Sequence, residues 1–127
     1  MDFPSDLYYT KDHEWLRLSS DSTVATVGIT AFAQQELGDI VYVDLEPEGA
    51  SLEQEAVFGT VEAVKTVSDL LMPVSGTITA VNEALGDNPE LVNEDPYGEG
   101  WMIKIEMQTP DEVAALMSQA DYAEMVG

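Results

Sequence analysis

The sequence contains no cysteine. That removes disulfides, thiol nucleophiles and thiolate metal sites together, and it fits a reducing compartment. Histidine is almost as scarce, with His13 the single example in 127 residues. Any Ser-His-Asp machine would have to be built on that one ring. Bases are few: 4 Lys and Arg stand against 25 Asp and Glu, for a net charge of −21. A field of that sign repels nucleic acid and anionic lipid and favours encounters with basic protein surfaces. The same charge also serves solubility or a salty interior without any partner. No apolar run approaches the length of a membrane span, and neither Gly-rich phosphate-loop pattern occurs. Met1-Asp2-Phe3-Pro4-Ser5-Asp6 carries acids where a signal or transit peptide carries Arg or Lys. The expectation is a protein that works where it is made, or one whose targeting segment is absent from this chain.

What is present reads as a folded chain. A hydrophobic share of 45% over 127 residues suits one domain over 1–127 around a single core. The acids are spread along the chain, as on a folded surface, and not massed in a tail. Trp15 to Leu18 half-alternates and Thr23 to Ile29 is β-branched, with the turn-forming Ser19-Ser20-Asp21-Ser22 between them. Together they predict a hairpin. Thr30 predicts an N-cap for a short internal helix over 31–37, and Gly38 its stop. In Asp39 to Leu45, Ile40 and Tyr42 alternate with Val41, Val43 and Leu45, the pattern of a strand covered on both faces. Strands are further predicted over 57–64, 67–72, 77–81 and 101–107. Gly86, Pro89, Pro96, Gly98 and Gly100 punctuate 82–100, which predicts an extended connection with at most one helical turn near Glu83 to Leu85. Thr109-Pro110-Asp111-Glu112 then supplies an N-cap, a first-turn proline and a capping-box glutamate. Val113, Leu116, Met117 and Ala120 follow at helical spacing, so a C-terminal helix is expected over about 110–125, with Ala120 the place for a break. The chain is mainly β, of sandwich or barrel kind.

One stretch organises the rest. Val57 to Val64 and Val67 to Met72 are two β-branched runs joined at a polar point, a hairpin with Lys65 and Thr66 at its tip. A lysine there is lifted off the protein body, within reach of another protein's active site. An isolated turn lysine is ordinarily just a solvated charge. Glu62 and Asp69 flank it by three and four residues. They either surround the base of an exposed arm or are plain solvated carboxylates.

Other candidate chemistry is thinner. Asn93-Glu94-Asp95-Pro96-Tyr97-Gly98 begins like a calcium loop, but its fifth place is Tyr97 and its twelfth is Lys104, where a bidentate Glu is required. It reads as a turn-rich connection. Asp12-His13-Glu14 is either a general-base cluster, a carboxylate–histidine metal pair, or a histidine at a strand edge. With one histidine in the chain, no metal site and no catalytic residue are expected.

The ordered motifs carry a resemblance. Gly59-Thr60-Val61-Glu62-Ala63-Val64-Lys65-Thr66-Val67-Ser68-Asp69, then Met72-Pro73-Val74-Ser75-Gly76 and Val81-Asn82-Glu83-Ala84-Leu85, closely resemble the glycine cleavage system H protein family. So do Leu91 to Lys104 and, upstream, His13-Glu14-Trp15, Val27-Gly28-Ile29-Thr30 and Leu37 to Val43. The resemblance spans nearly the whole chain. It implies a barrel-sandwich hybrid, the lipoyl/biotinyl-domain architecture, with added terminal pieces. It implies that Lys65 carries covalent lipoate, placed by a lipoate-attaching enzyme. The arm would accept an aminomethyl group from the pyridoxal-phosphate P protein and present it to the folate-dependent T protein. The flavin L protein would then reoxidise it. Glu14 and Asp69 match family positions beside the loaded arm, with Glu62 and His13 near them. Such a carrier is not itself an enzyme and is expected as a monomer. The acidic start favours a bacterial cytoplasm, with a mitochondrial matrix after transit-peptide removal as the alternative. The chain departs from the family pattern at Ala63, where Ser is common, at Glu36, where some members have His, and in the loop Glu46-Pro47-Glu48-Gly49.

Two rival readings stand beside this one. Biotinyl sites resemble Met-Lys-Met and dehydrogenase lipoyl domains Asp-Lys-Ala, whereas Lys65 sits between Val64 and Thr66. An acidic interaction module without a prosthetic group is the other.

Overall fold

The computed structural model describes residues 3–21 and 23–126. Met1, Asp2, Ser22 and Gly127, and with them part of the acidic start and of the first turn, lie outside the described residues. The strands are β1 (Tyr8–Tyr9), β2 (Glu14–Leu18), β3 (Val24–Ile29), β4 (Ile40–Leu45), β5 (Ser51–Leu52), β6 (Val57–Ala63), β7 (Val67–Leu71), β8 (Gly76–Val81) and β9 (Ile103–Met107). They form a six-stranded sheet ordered β1-β2-β3-β9-β8-β5 and a three-stranded sheet ordered β4-β6-β7. Neither sheet closes on itself. The result is the barrel-sandwich hybrid that the resemblance implies.

Alternation explains the packing between them. Ala25, Val27 and Ile29 of β3, Ile103, Ile105 and Met107 of β9, and Phe58, Val61 and Ala63 of β6 all point into one buried core. Each fully buried Val, Leu, Ile or Phe contributes about 1.5–3 kcal/mol over its exposed state. A second cluster joins the chain ends: Phe3, Leu7, Tyr9, Trp15 and Tyr122 are all buried. Tyr9 stacks on Tyr122 with ring centres 4.7 Å apart, and Phe3 meets Tyr122 edge-on at 4.8 Å.

The internal helix α1 (Ala31–Leu37) forms as expected, with the Thr30 hydroxyl accepting from the Ala33 amide and Gly38 ending it at φ 86°. Three expectations are corrected. First, β4 is not covered on both faces. Its pairing with β6 shifts between Ile40 and Tyr42. This bulge puts Ile40 inward with Val43 and leaves Val41 and Tyr42 about half exposed, at 50% and 51%. Second, residues 82–100 hold two short helices, α2 (Ala84–Asp87) and α3 (Glu90–Glu94). Pro89 starts α3 at its N-cap, where a missing amide costs nothing, and Leu85 and Val92 anchor the pair in the core. Third, the C-terminal segment is not one helix. A 3-10 turn over Pro110–Ala115 stops at Leu116, whose backbone is extended, and α4 (Gln119–Val126) begins afresh. Met117 exchanges both backbone hydrogen bonds with Tyr9 (2.9 and 2.8 Å), because edge strand β1 needs a partner for its open side. Thr109 makes no side-chain cap bond. Glu112 bonds the Ser75 amide at 2.7 Å instead of the backbone behind it, and Ala120 is exposed.

At Gly59 the backbones of β4 and β6 leave no room for a side chain: a Cβ there would lie 2.3 Å from the Asp44 carbonyl oxygen. A Gly59→Ala variant is expected to lose about 2 kcal/mol through forced separation of the strands, read from urea midpoints. A variant as stable as the parent would show that the pairing yields freely.

Candidate functional site

The tip that carries Lys65 is built by two ladders. β6 and β7 pair antiparallel through Thr60 with Asp69, Val61 with Ser68 and Glu62 with Val67. The Ala63 amide closes the turn on the Thr66 carbonyl at 2.7 Å, and the Val64 amide reaches the Asp39 carbonyl at 3.3 Å. Val64, Lys65 and Thr66 are left outside, all exposed. Tyr42, Glu62 and Val67 pair across the three strands and so share a row on the outer face, with Asp44, Thr60 and Asp69 in the next row. Lys65 therefore rises beside exposed apolar groups, Val41, Tyr42, Val64 and Val67, interleaved with carboxylates. Clustered apolar exposure of this kind marks a surface that a partner covers.

The other end of β7 meets a buried acid. β7 is the outer strand of its sheet, and the Leu71 amide donates sideways to Glu14 Oε2 at 3.2 Å. The Thr10 hydroxyl donates to Oε1 at 2.8 Å. Thr10 Oγ1 already accepts the Glu14 and Asp12 amides (3.1 and 3.3 Å), so its one proton is committed to the carboxyl. Glu14 is only 2% exposed. Burial pushes its pKa up to about 8, against the pull of the Thr10 and Leu71 donors and with a small push from Asp12. Among the described residues the one ion pair is Lys11 with Glu55, 3.8 Å apart at the surface. Glu14 is thus a carboxyl ringed by donors and free of any side-chain cation among those residues, an environment that a delivered positive charge would complete. A cleft of about 350 Å³ opens over it, with Tyr9, Met72, Pro73 and Met117 among its walls.

The four acids and rings singled out around Lys65 separate in space. Asp69 is exposed on β7 between the tip and Leu71, and Glu62 faces outward beside Val67. From Val67 to Leu71 the strand covers about 13 Å at its usual rise, a span of the order of a lysine stem extended by an octanoyl chain. His13 turns away. Its Nδ1 lies 2.8 Å from the Tyr122 hydroxyl and its ring 4.9 Å from Phe32. Burial lowers its pKa, opposed by Asp12 and Glu36. The Asp12-His13-Glu14 run is therefore no general-base cluster: Asp12 faces water, His13 the aromatic cluster and Glu14 the edge of β7.

Sequence reading missed Asn93. Its Oδ1 accepts the Ile40 amide at 2.9 Å and its Nδ2 donates to the Ile40 carbonyl at 3.1 Å, so a side chain completes the edge of β4. Tyr97 accepts the Ala31 amide at 3.0 Å and so caps α1. The run that begins like a calcium loop is a strut. Its only sequence signal is dense polarity beside Pro96 and Gly98.

Comparison with known proteins gives a consistent result. A family model described as "Glycine cleavage H-protein" matches residues 7–127. The glycine cleavage system H protein of Salinibacter ruber is 66% identical over 125 residues, covering 98% of this chain and 99% of that one. That of Chlorobium phaeovibrioides is 58% identical over 127 residues, covering 100% of this chain and 99% of that one. The crystal structure of a glycine cleavage system H protein from Mycobacterium marinum superposes with a TM-score of 0.90 at 39% identity, over 98% of this chain and 99% of that one.

Proposed function

This chain belongs to the glycine cleavage H-protein family, and from that premise we propose that Lys65 is the lipoate-bearing lysine through which it works. The chain is a lipoyl carrier of glycine cleavage and serves the enzymes of that system. The observation that carries the assignment to Lys65 is its place at the exposed tip of a closed hairpin. Lys11 and Lys104, the other lysines, stand elsewhere: Lys11 pairs with Glu55, and Lys104 lies 5.3 Å over the Trp101 ring.

The residues present fit the group. Lys65 offers an unobstructed amine on a rigid two-strand base, and its acylation as an amide removes the charge. Lipoate supplies the redox and group-carrying chemistry that a chain without cysteine lacks. The free edge of β7 gives the arm a path to Glu14. There the donors from Thr10 and Leu71 hold the carboxyl ready to take the cationic end of an aminomethyl cargo and to limit its contact with water. Asp69 lies on that path, and Glu62 belongs to the outer row that faces partners. His13 acts through its neighbours and does not touch the arm. The domain is the whole chain, 1–127, acting as a non-catalytic monomer.

In this reading the cargo comes from the pyridoxal-phosphate P protein and goes to the T protein, the L protein reoxidises the arm, and a lipoate-attaching enzyme loads Lys65. The relatives are bacterial, and among the described residues no helix is long and apolar enough to cross a membrane. Work in a bacterial cytoplasm is the matching proposal. Intact mass after expression in a lipoylation-competent host tests the central claim. A lipoyl addition that vanishes in Lys65→Arg supports it, and an unmodified Lys65 overturns it.

The net charge of −21 predicts how partners are found. Apparent affinity in the P-protein reaction should fall as salt rises through roughly 0.05–0.3 M, where the screening length contracts to a few ångströms. A flat salt titration would assign the acidity to solubility alone.

A further inference from the structure

We propose that Tyr122 is a positioning residue for Glu14: the hydroxyl that α4 carries in locks the turn between β1 and β2 in the shape that aims the carboxyl at the edge of β7. What this serves rests on the reading of Glu14 as the acid at the end of the arm; the geometry stands without it.

The turn runs from Thr10 to Glu14, closed by Thr10 N–H to the Glu14 carbonyl (2.9 Å) and His13 N–H to the Thr10 carbonyl (3.1 Å). His13 sits at φ 69°, the left-handed position that glycine usually fills in a short hairpin loop. A side chain there is tolerated when something holds it. His13 is held twice: its carbonyl accepts the Thr30 amide at 2.9 Å, and its Nδ1 meets the Tyr122 hydroxyl at 2.8 Å. The same hydroxyl lies 2.8 Å from Thr30 Oγ1, which accepts the Ala33 amide of α1 at 3.1 Å. Tyr122 cannot swing away, being fully buried and stacked flat on Tyr9. One oxygen thus ties α4, the cap of α1 and the turn together, immediately before Glu14. If His13 rotates, Glu14 turns with it and its bond to Leu71 breaks. The titratable groups facing Glu14 are Asp12 on the same turn and Tyr122 on α4. Those facing His13 are Asp12, Glu36 and Tyr122.

The test uses the unmodified chain, with carbon-13-labelled glutamate followed by NMR through a pH titration. Tyr122→Phe should lower the Glu14 midpoint by about one pH unit or more towards an ordinary carboxyl, as water reaches it. Tyr9→Phe is the control: it removes a hydroxyl of the same stack, bonded to the Pro4 carbonyl at 2.5 Å, and should leave the midpoint in place. His13→Gly suits the backbone angle yet drops the tether, so it should act like Tyr122→Phe. An unchanged midpoint in Tyr122→Phe, or an equal fall in Tyr9→Phe, overturns the inference. The underlying reading fails separately: in lipoylated protein, Glu14→Gln would then leave the lifetime of the carried aminomethyl group unchanged.

Discussion

A Lys65→Arg protein is expected to fold normally and to support no glycine cleavage above background. Arginine keeps the charge and much of the stem, but its guanidinium stays protonated at any working pH and is not acylated by an enzyme that loads an amine. The position is exposed, so stability should stay within about 0.5 kcal/mol of the parent. Turnover, by contrast, depends on a tether. A covalent arm converts each encounter between cargo and enzyme into a near-intramolecular step, an advantage lost whole when the arm is lost. The expected fall is roughly 10³-fold or more, measured as glycine-dependent carbon dioxide release with the partner enzymes supplied. Residual turnover of even a tenth would mean that another group carries the cargo.

The second large effect concerns Glu14 and pH. Its folded pKa, about 8, stands above the ordinary value of 4.5. The folded state therefore holds a proton that the unfolded chain gives up between those values. Its contribution to stability is complete below about pH 4.5, declines as pH rises, and is gone above about pH 8. At roughly 1.4 kcal/mol per pH unit over that span, the loss is on the order of 5 kcal/mol. Glu14→Gln cannot ionise and should lack the decline. Its amide N–H groups face a donor from Thr10 or Leu71, a fixed cost at every pH, so the slope and not the intercept carries the result. Urea unfolding of both proteins from about pH 4 to about pH 9 makes the comparison, with every other titrating group common to the two. Parallel profiles would show that folding leaves the Glu14 pKa at its ordinary value.

The acid's burial was not legible in advance, although Glu14 itself was singled out. Its two neighbours in sequence, Asp12 and His13, look equally polar. What separates the three is a turn with His13 in the left-handed region and a β7 edge supplied by residues 57 positions downstream. Tyr122 left no trace in sequence either, because the contact it makes with His13 spans 109 positions. The end of the chain misled for a related reason. Val113, Leu116 and Met117 have helical spacing, yet Leu116 is extended because Met117 is claimed by the backbone of Tyr9. In β4 the alternation was real, but a bulge moved Val41 and Tyr42 into water.

By itself the sequence determined the local elements and singled out Lys65. Two β-branched runs around Lys65, the Thr30 cap and the Gly38 stop depend on residues a few positions apart, and local steric and hydrogen-bonding preferences act at that range. The ordered motifs were specific enough to mark the family. Only the tertiary structure decided which faces are buried, where the C-terminal helix breaks and which carboxyl is taken out of water. Those outcomes follow from desolvation and from backbone groups seeking partners across the fold, and both depend on what long-range pairing brings alongside.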